Sequence, residues 1–365
     1  MKVVISMSIL ILSILISACN GNRKQGTVDI EESEYPIVLN IDDAIRKKIA
    51  FNLSDFVDSI KYIYIESTIC DVAEPIMRLE VTDNHMFFYD GFGRLLCYNL
   101  KGQFIRQIAS TGKGPGEYLR LKAIALDEEK NIIYALCDRS NSIFKYSIQG
   151  KFLGKIPVET SVDALRLVGG NLLLHIANWN GEKENQYIMM DSSGVIITKY
   201  PNPYKYKLQG RNTYFNEVSF YKYKNLLHMK DKSDTLYVFK GNQRIPKYIF
   251  KSTYSISNKN LTQMEYDRAL NFWYIFETDT RIQFAFEIDN KFATMQHAYY
   301  DKTTGQLYIT EILKLKNNID DGNYLPLINQ NNQFITRLRR GFEMDNPPLE
   351  IEDEDPLVLS LLYLK

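Results

Sequence analysis

One stretch of the chain is written twice. Tyr98–Ile108 (YNLKGQFIRQI) returns 48 residues later as Tyr146–Ile156 (YSIQGKFLGKI). Each copy is an alternating strand, a tight turn closing on glycine (Gly102, Gly150) and a second alternating strand, the signature of a β-hairpin. Upstream of each copy lies another apolar run, Met86–Tyr89 and then Ile132–Leu136, and each run leads to an aspartate, Asp90 and Asp138, again 48 apart. A four-stranded unit repeating at about 40–50 residues is how a β-propeller blade reads in sequence.

Later units are more diverged but stay in phase. A turn at Asp191–Gly194 falls 44 residues after Gly150 within Ala164–Tyr200, and Asn216–Phe250 offers three short apolar runs and a turn at Gly241. The next unit is interrupted by Thr262–Glu265, a capping-box pattern that predicts a short helix through Leu270. Strands resume at Phe284–Phe286, Phe292–Met295 and Tyr299–Thr310, and the last segment holds Tyr324–Ile328, Phe334–Leu338 and Leu357–Leu364. An alternating strand at Ile60–Ile65 precedes the first full repeat and lacks a hairpin partner. Pairing it with Leu357–Leu364 closes a ring and removes two exposed edges. The expected fold is all-β: a six-bladed β-propeller of four-stranded blades, its N- and C-terminal strands sharing a blade, with seven blades as the nearest alternative.

Aromatic residues make up 13% of the 365 residues, 25 Tyr and 19 Phe against 2 Trp, which suits pleated, half-buried positions. Lys plus Arg equals Asp plus Glu at 44 each, so the basic excess of a nucleic-acid binder is missing. Residues 1–19 read as a lipoprotein signal peptide. Lys2 precedes a compact apolar stretch, Val3–Ile16, shorter than the about 20 residues a spanning helix needs. Small residues then lead into Cys19, the expected lipidation site. Residues 20–36 are polar and read as a flexible tether, and residues 37–365 as the propeller. Of the remaining cysteines, Cys70, Cys97 and Cys137, at most one disulfide can form, and buried small hydrophobes are the favoured reading.

Gly112–Tyr118 (GKGPGEY) completes a pattern. With the lipobox, the opening strand Ser54–Glu66, Asn346-Pro-Pro and a final apolar strand, it resembles the six-bladed β-propeller lipoproteins of some Gram-negative bacteria, a family mostly of unknown function. The resemblance spans nearly the whole chain. It implies six blades and an exported location, and it implies no reaction, cofactor or catalytic residue.

Candidate binding residues lie on inter-blade loops. Lys113, Glu117 and Tyr118 sit in the glycine-rich segment, which lacks the spacing and following helix of a phosphate loop; a rigid turn anchored by Glu117 and Tyr118 is the favoured alternative. Trp179 stands beside Tyr187 as either a stacking contact for sugar or peptide or a packing residue between blades. Tyr204 projects from a Pro-fixed loop, Tyr200–Tyr206. The histidines His85, His175, His228 and His297 share no repeat position, and neither a zinc pattern nor a calcium loop is found, so no metal or other cofactor is expected. Asp90 and Asp138 are expected to bond the backbone of the turns that follow them.

The expected role is a lipid-anchored binding or interaction module of the cell envelope, at the outer membrane and facing periplasm or exterior. It would meet a small ligand, glycan, peptide or envelope protein at the propeller mouth. The competing expectation is a hydrolase or lyase acting on a sugar or peptide in the central channel, which convergence of His175, His228 and a carboxylate would favour.

Overall fold

The computed structural model describes residues 36–50, 52–66, 79–90, 92–138, 140–178, 181–206, 218–256, 260–262, 265, 268–288, 295–310, 326–330, 333–336, 339–340 and 357–365. All belong to the compact unit Glu34–Lys365. Cys19, Cys70 and Trp179 lie outside the described residues, as do Phe292–Thr294, Asn346-Pro-Pro and the acidic segment near 350–355.

Short strands follow one another as antiparallel meanders. Sheet I comprises Leu79–Val81, His85–Tyr89, Arg94–Asn99 and Phe104–Ser110. Sheet II comprises Leu121–Asp127, Ile132–Cys137, Ser142–Ser147 and Phe152–Pro157. Sheet III comprises Ala164–Val168, Asn171–His175, Asn185–Met190 and Ile196–Pro201. Sheet IV comprises Val218–Tyr223, Leu226–Asp231, Thr235–Lys240 and Gln243–Lys251, with Ile37–Asn40 added in parallel along its outer edge. Sheet V comprises Asn271–Glu277, Arg281–Glu287, Gln296–Asp301 and Gln306–Ile309. In sheet VI, Pro326–Gln330 and Gln333–Thr336 continue onto Leu357–Leu364, whose other edge takes Val57–Ile65. Ile60 pairs Leu362 and Ile65 pairs Leu357, so the unpartnered strand of the sequence meets the last one.

The strands read as unbroken apolar runs because both faces are buried. In sheet II, Ile133, Ala135 and Cys137 pack toward sheet I, while Tyr134 and Leu136 pack toward sheet III. The same division recurs. Leu173 and Met189 of sheet III meet Met229 and Phe239 of sheet IV, and Phe250 of sheet IV meets Phe272 and Phe284 of sheet V edge-on at 4.8 and 5.1 Å. Tyr274 and Phe276 of sheet V join Leu362 of sheet VI, and Leu359 and Ile63 of sheet VI join Phe88 and Leu96 of sheet I. Burying one such side chain contributes about 1.5–3 kcal/mol, so the inter-sheet layers dominate stability.

The repeated hairpin also holds sheet I against sheet VI. Asn99 Oδ1 accepts from the Lys101 and Gln103 amides, which shapes the turn, and Gly102 takes φ +81°. A Cβ there would fall 1.6 Å from the Tyr64 carbonyl oxygen. Only glycine therefore lets Gly102 offer its carbonyl to Glu66 N at 2.9 Å.

Two details depart from the sequence reading, and a third bears it out. Asn271–Glu277 is a full first strand that the pattern did not single out. The third strand of sheet V is Gln296–Asp301 rather than a run ending at Met295. The capping box forms, with Thr262 N donating to Glu265 Oε2 at 2.8 Å and Glu265 N to Thr262 Oγ1 at 3.3 Å, although only part of the segment that follows is described. Cys97 and Cys137 are free, buried thiols.

Candidate functional site

In a four-stranded meander, the turn between the second and third strands and the exit from the fourth leave from the same end. The connections near 111–120, 138–141, 158–163, 176–184 and 231–234 therefore gather at the loop-bearing end of their sheets. The glycine-rich segment is here as an ordered turn. Gly112 N bonds the Tyr118 carbonyl, and Glu117, itself exposed, accepts from Gly114 N at 2.8 Å through Oε2. Tyr118 is 1% exposed, and its hydroxyl donates to the Gly93 carbonyl at 3.0 Å, so it anchors the loop to sheet I rather than presenting a surface contact. Gly116, at φ +78°, gives its carbonyl to Tyr146 OH at 2.9 Å. Lys113 is exposed at the tip. Tyr204 is half-buried. Its hydroxyl bonds the Ser233 side chain, burial foremost holds that hydroxyl well above the usual tyrosine range, and its carbonyl accepts from Asn178 Nδ2 at 3.4 Å.

Charged side chains from separate sheets meet at this end. Lys122 Nζ lies 2.6 Å from Asp163 Oδ1 and 3.7 Å from Asp138 Oδ1, while Arg120 Nε stands 4.0 Å from Asp138 Oδ2. Asp163 Oδ2 also accepts from Ala177 N at 2.5 Å. Asp231 accepts from Gln186 Nε2 at 2.9 Å and from Ser233 N at 2.7 Å. The two aspartates of the sequence repeat have separate uses. Asp90 accepts from the Phe92 and Arg94 amides and pairs with the Arg94 guanidinium, as expected of a turn aspartate, whereas Asp138 serves Arg120 and Lys122.

His175 lies among these groups. It is 3% exposed, its ring centroid is 5.1 Å from that of Tyr187, and its Nδ1 has no hydrogen-bond partner among the described residues. Burial holds its pKa down at about 4, although Asp163 and Asp231 favour the cation. At neutral pH it is an uncharged imidazole with one nitrogen free to donate or accept. Lys230, nearby in sheet IV, gives Nζ hydrogen bonds to the Asp231 and Ser233 carbonyls at 2.5 and 2.6 Å and lies 4.0 Å from the Phe272 ring centroid. Burial foremost brings its pKa down to about 8.

A second cluster closes the opposite end of sheets IV and V. Glu277 accepts from Lys247 at 2.7 and 2.8 Å, from Tyr221 OH at 2.9 Å and from Tyr248 OH at 3.0 Å, with Lys302 Nζ at 2.7 Å. Burial alone would push this carboxyl up; the surrounding positive charge, Lys247 foremost, outweighs it and holds the pKa at about 2. His228 Nε2 stands 3.0 Å from Lys247 Nζ, and Nδ1 stands 3.1 Å from the Leu226 carbonyl. An ammonium cannot accept and a carbonyl cannot donate, so the ring is neutral with its proton on Nδ1. Burial, then Lys247, holds its pKa at about 3. Every group here is consumed by another, which makes this an inter-sheet clamp.

His175 and His228 thus occupy different clusters. His297 pairs its Nδ1 with Tyr274 OH at 2.8 Å, and His85 is half-buried in sheet I. Among the described residues, no group of three or more His, Cys, Asp or Glu side chains is arranged to hold a metal ion.

Both clusters fall within the span of a known domain. A family model described as a domain of unknown function, DUF4934, matches residues 36–346. The chain belongs to the DUF4934 family. Among solved structures, a protein described as exported from Bacteroides fragilis NCTC 9343 is similar at 17% identity and a TM-score of 0.66, over 87% of this chain and 98% of that one. A DUF4221 member from Bacteroides vulgatus is similar at 11% identity and a TM-score of 0.55, over 85% and 97%. At these identities the likenesses show a shared fold alone. No curated protein matches the chain. Among the described residues, no helix of this DUF4934 chain is long and apolar enough to cross a membrane.

Proposed function

We propose that this DUF4934 protein is an exported, lipid-anchored, six-bladed β-propeller that works as a non-enzymatic binding module of the cell envelope. Six blades and ring closure are supported by the pairing of Val57–Ile65 with Leu357–Leu364, and by apolar layers that join each sheet to the next and sheet VI to sheet I. Export is supported by the signal-peptide pattern ending at Cys19 and by likeness to a protein described as exported.

The binding role rests on one observation. The loop-bearing end of sheets II–IV holds Lys122, Asp138 and Asp163 in ion pairs, all three half-buried, at the ends of rigid strands. Paired charges are pre-oriented to hydrogen-bond a polar ligand, and holding them in place beforehand lowers the ordering cost of binding. Lys113 and Tyr204 flank the same end on connecting loops, and the fit is to a glycan or peptide presenting hydroxyl and amide groups.

The test is thermal shift of the full chain in detergent against glycan and peptide panels, with product analysis of every hit. Binding to the native state raises stability by about 2.7 kcal/mol at a ligand concentration of 100 Kd. The expected result is a shift without turnover, weakened by Asp163→Asn. Turnover that His175→Gln abolishes would instead support the hydrolase or lyase.

A further inference from the structure

Arg166 lies on the first strand of sheet III and is half-buried. It donates Nη1–H to the Leu165 carbonyl at 2.7 Å, and its guanidinium carbon is 5.1 Å from the ring centroid of Phe220, on the first strand of sheet IV. Among the described residues, no carboxylate forms an ion pair with it. A guanidinium partly withdrawn from water without an anionic partner is costly, and of its five N–H donors only Nη1–H is engaged among the described residues.

The first strands lie side by side: that of sheet I against that of sheet II, II against III, and IV against V. Their charges sense one another. Burial pushes the carboxyl of Glu80, on the first strand of sheet I, upward, and Arg166 and then Lys222, on the first strand of sheet IV, pull it back. Burial likewise lowers Arg166, opposed by Glu80. A half-buried arginine and a half-buried glutamate from non-adjacent sheets therefore share one interior without an ion pair between them.

We propose that Arg166 anchors the carboxylate of a ligand entering the space between the first strands, stacked on Phe220 and flanked by Lys222. This deepens the binding-module reading and rests on it. The planar guanidinium matches a carboxylate through two parallel N–H···O bonds while its face stays on the aromatic ring. Glu80 repels a doubly charged group such as phosphate about twice as strongly as a singly charged carboxylate, so the single charge is the better fit. The ligand is thus a monocarboxylate, carried by an acidic sugar or by the C-terminus of a peptide.

The experiment compares matched probes by calorimetric titration of the full chain: galacturonate against galactose, and trialanine against its C-terminal amide. The carboxylate member of one pair should bind at least about tenfold more tightly than its neutral partner. Which pair discriminates identifies the source. Arg166→Gln should erase the preference, and Arg166→Lys, which keeps the charge but not the planar fork, should weaken it while preserving the melting transition. If Arg166→Gln fails to fold, Arg166→Lys decides, and unchanged affinity in it overturns the assignment. Absence of discrimination in both pairs, or discrimination surviving in Arg166→Gln, also overturns it. Binding of galactose or the amide with affinity indifferent to Arg166 would overturn the carboxylate assignment yet leave the binding module standing, whereas turnover of a probe would remove the binding-module reading itself.

Discussion

Lys247 donates to both carboxylate oxygens of Glu277, at 2.8 and 2.7 Å, across the contact between sheets IV and V. The pair is buried, with side-chain exposures of 6% and 1%, so its desolvation is repaid only while both charges are present. Glu277→Gln leaves Lys247 and Lys302 facing each other without a counter-charge. The expected cost is about 3–5 kcal/mol, read as a lower urea midpoint at an unchanged slope. Tyr248→Phe, which removes one hydroxyl from the same carboxylate, should cost nearer about 1 kcal/mol.

Stability should fall as the pH drops below about 6.5, the ordinary histidine value. His175 and His297 are held at about 4 and His228 at about 3, burial being the foremost cause for each. The unfolded chain therefore takes up these protons first, and each site loses on the order of 3 kcal/mol of stability as the pH approaches 4. Glu277 has a different window. Its contribution is full above its ordinary value of 4.5 and is lost as the pH falls toward about 2. Urea midpoints at pH 8, 6 and 5 should decline steadily, and His297→Gln should flatten the decline. A flat profile would contradict the assigned protonation states.

Gly102 and Gly241 both have positive φ, +81° and +55°, but only the first is enclosed. A Cβ at Gly102 collides with the Tyr64 carbonyl, and one at Gly241 meets nothing within 4 Å. Gly241→Ala should cost about 1–2 kcal/mol, the ordinary penalty of a left-handed backbone. Gly102→Ala must also displace the strand of sheet VI and should cost well over twice as much in the same denaturation assay.

The thiols of Cys97 and Cys137 are pushed up to about 11 and 12, by burial before any other cause. Since the thiolate is the reacting species, neither should be alkylated by iodoacetamide at pH 8 in the native protein, and both should react in urea. Peptide mapping after a short pulse distinguishes the two states.

The hairpin repeat was legible because Tyr98–Ile108 and Tyr146–Ile156 carry their own turns, glycine included. The pairing of Val57–Ile65 with Leu357–Leu364 was legible because two apolar strands were left without neighbours. Asn271–Glu277 was not, since it abuts the strand Arg281–Glu287 across Thr278–Thr280, a turn without glycine or proline, and its mostly buried aromatic run lacks clear alternation. The charged clusters were hidden for another reason. Lys122, Asp163 and Asp231 are far apart in the chain and gather at one end only when separate sheets pack; Lys247, Glu277 and Lys302 meet in the same way. No local spacing encodes such a meeting. His175 was visible as a residue, but its neighbours were not.

The account depends most on closure, because the loop-bearing site draws groups from three sheets and holds its shape only if those sheets are fixed in a ring. Amide hydrogen exchange on the chain lacking residues 357–365, which removes the partner of Val57–Ile65, tests this directly. The account predicts that protection collapses beyond sheet VI, reaching the second strands Ile132–Cys137 and Asn171–His175 of sheets II and III, because no sheet is stable without both neighbours. Retention of full protection in those two strands would contradict it.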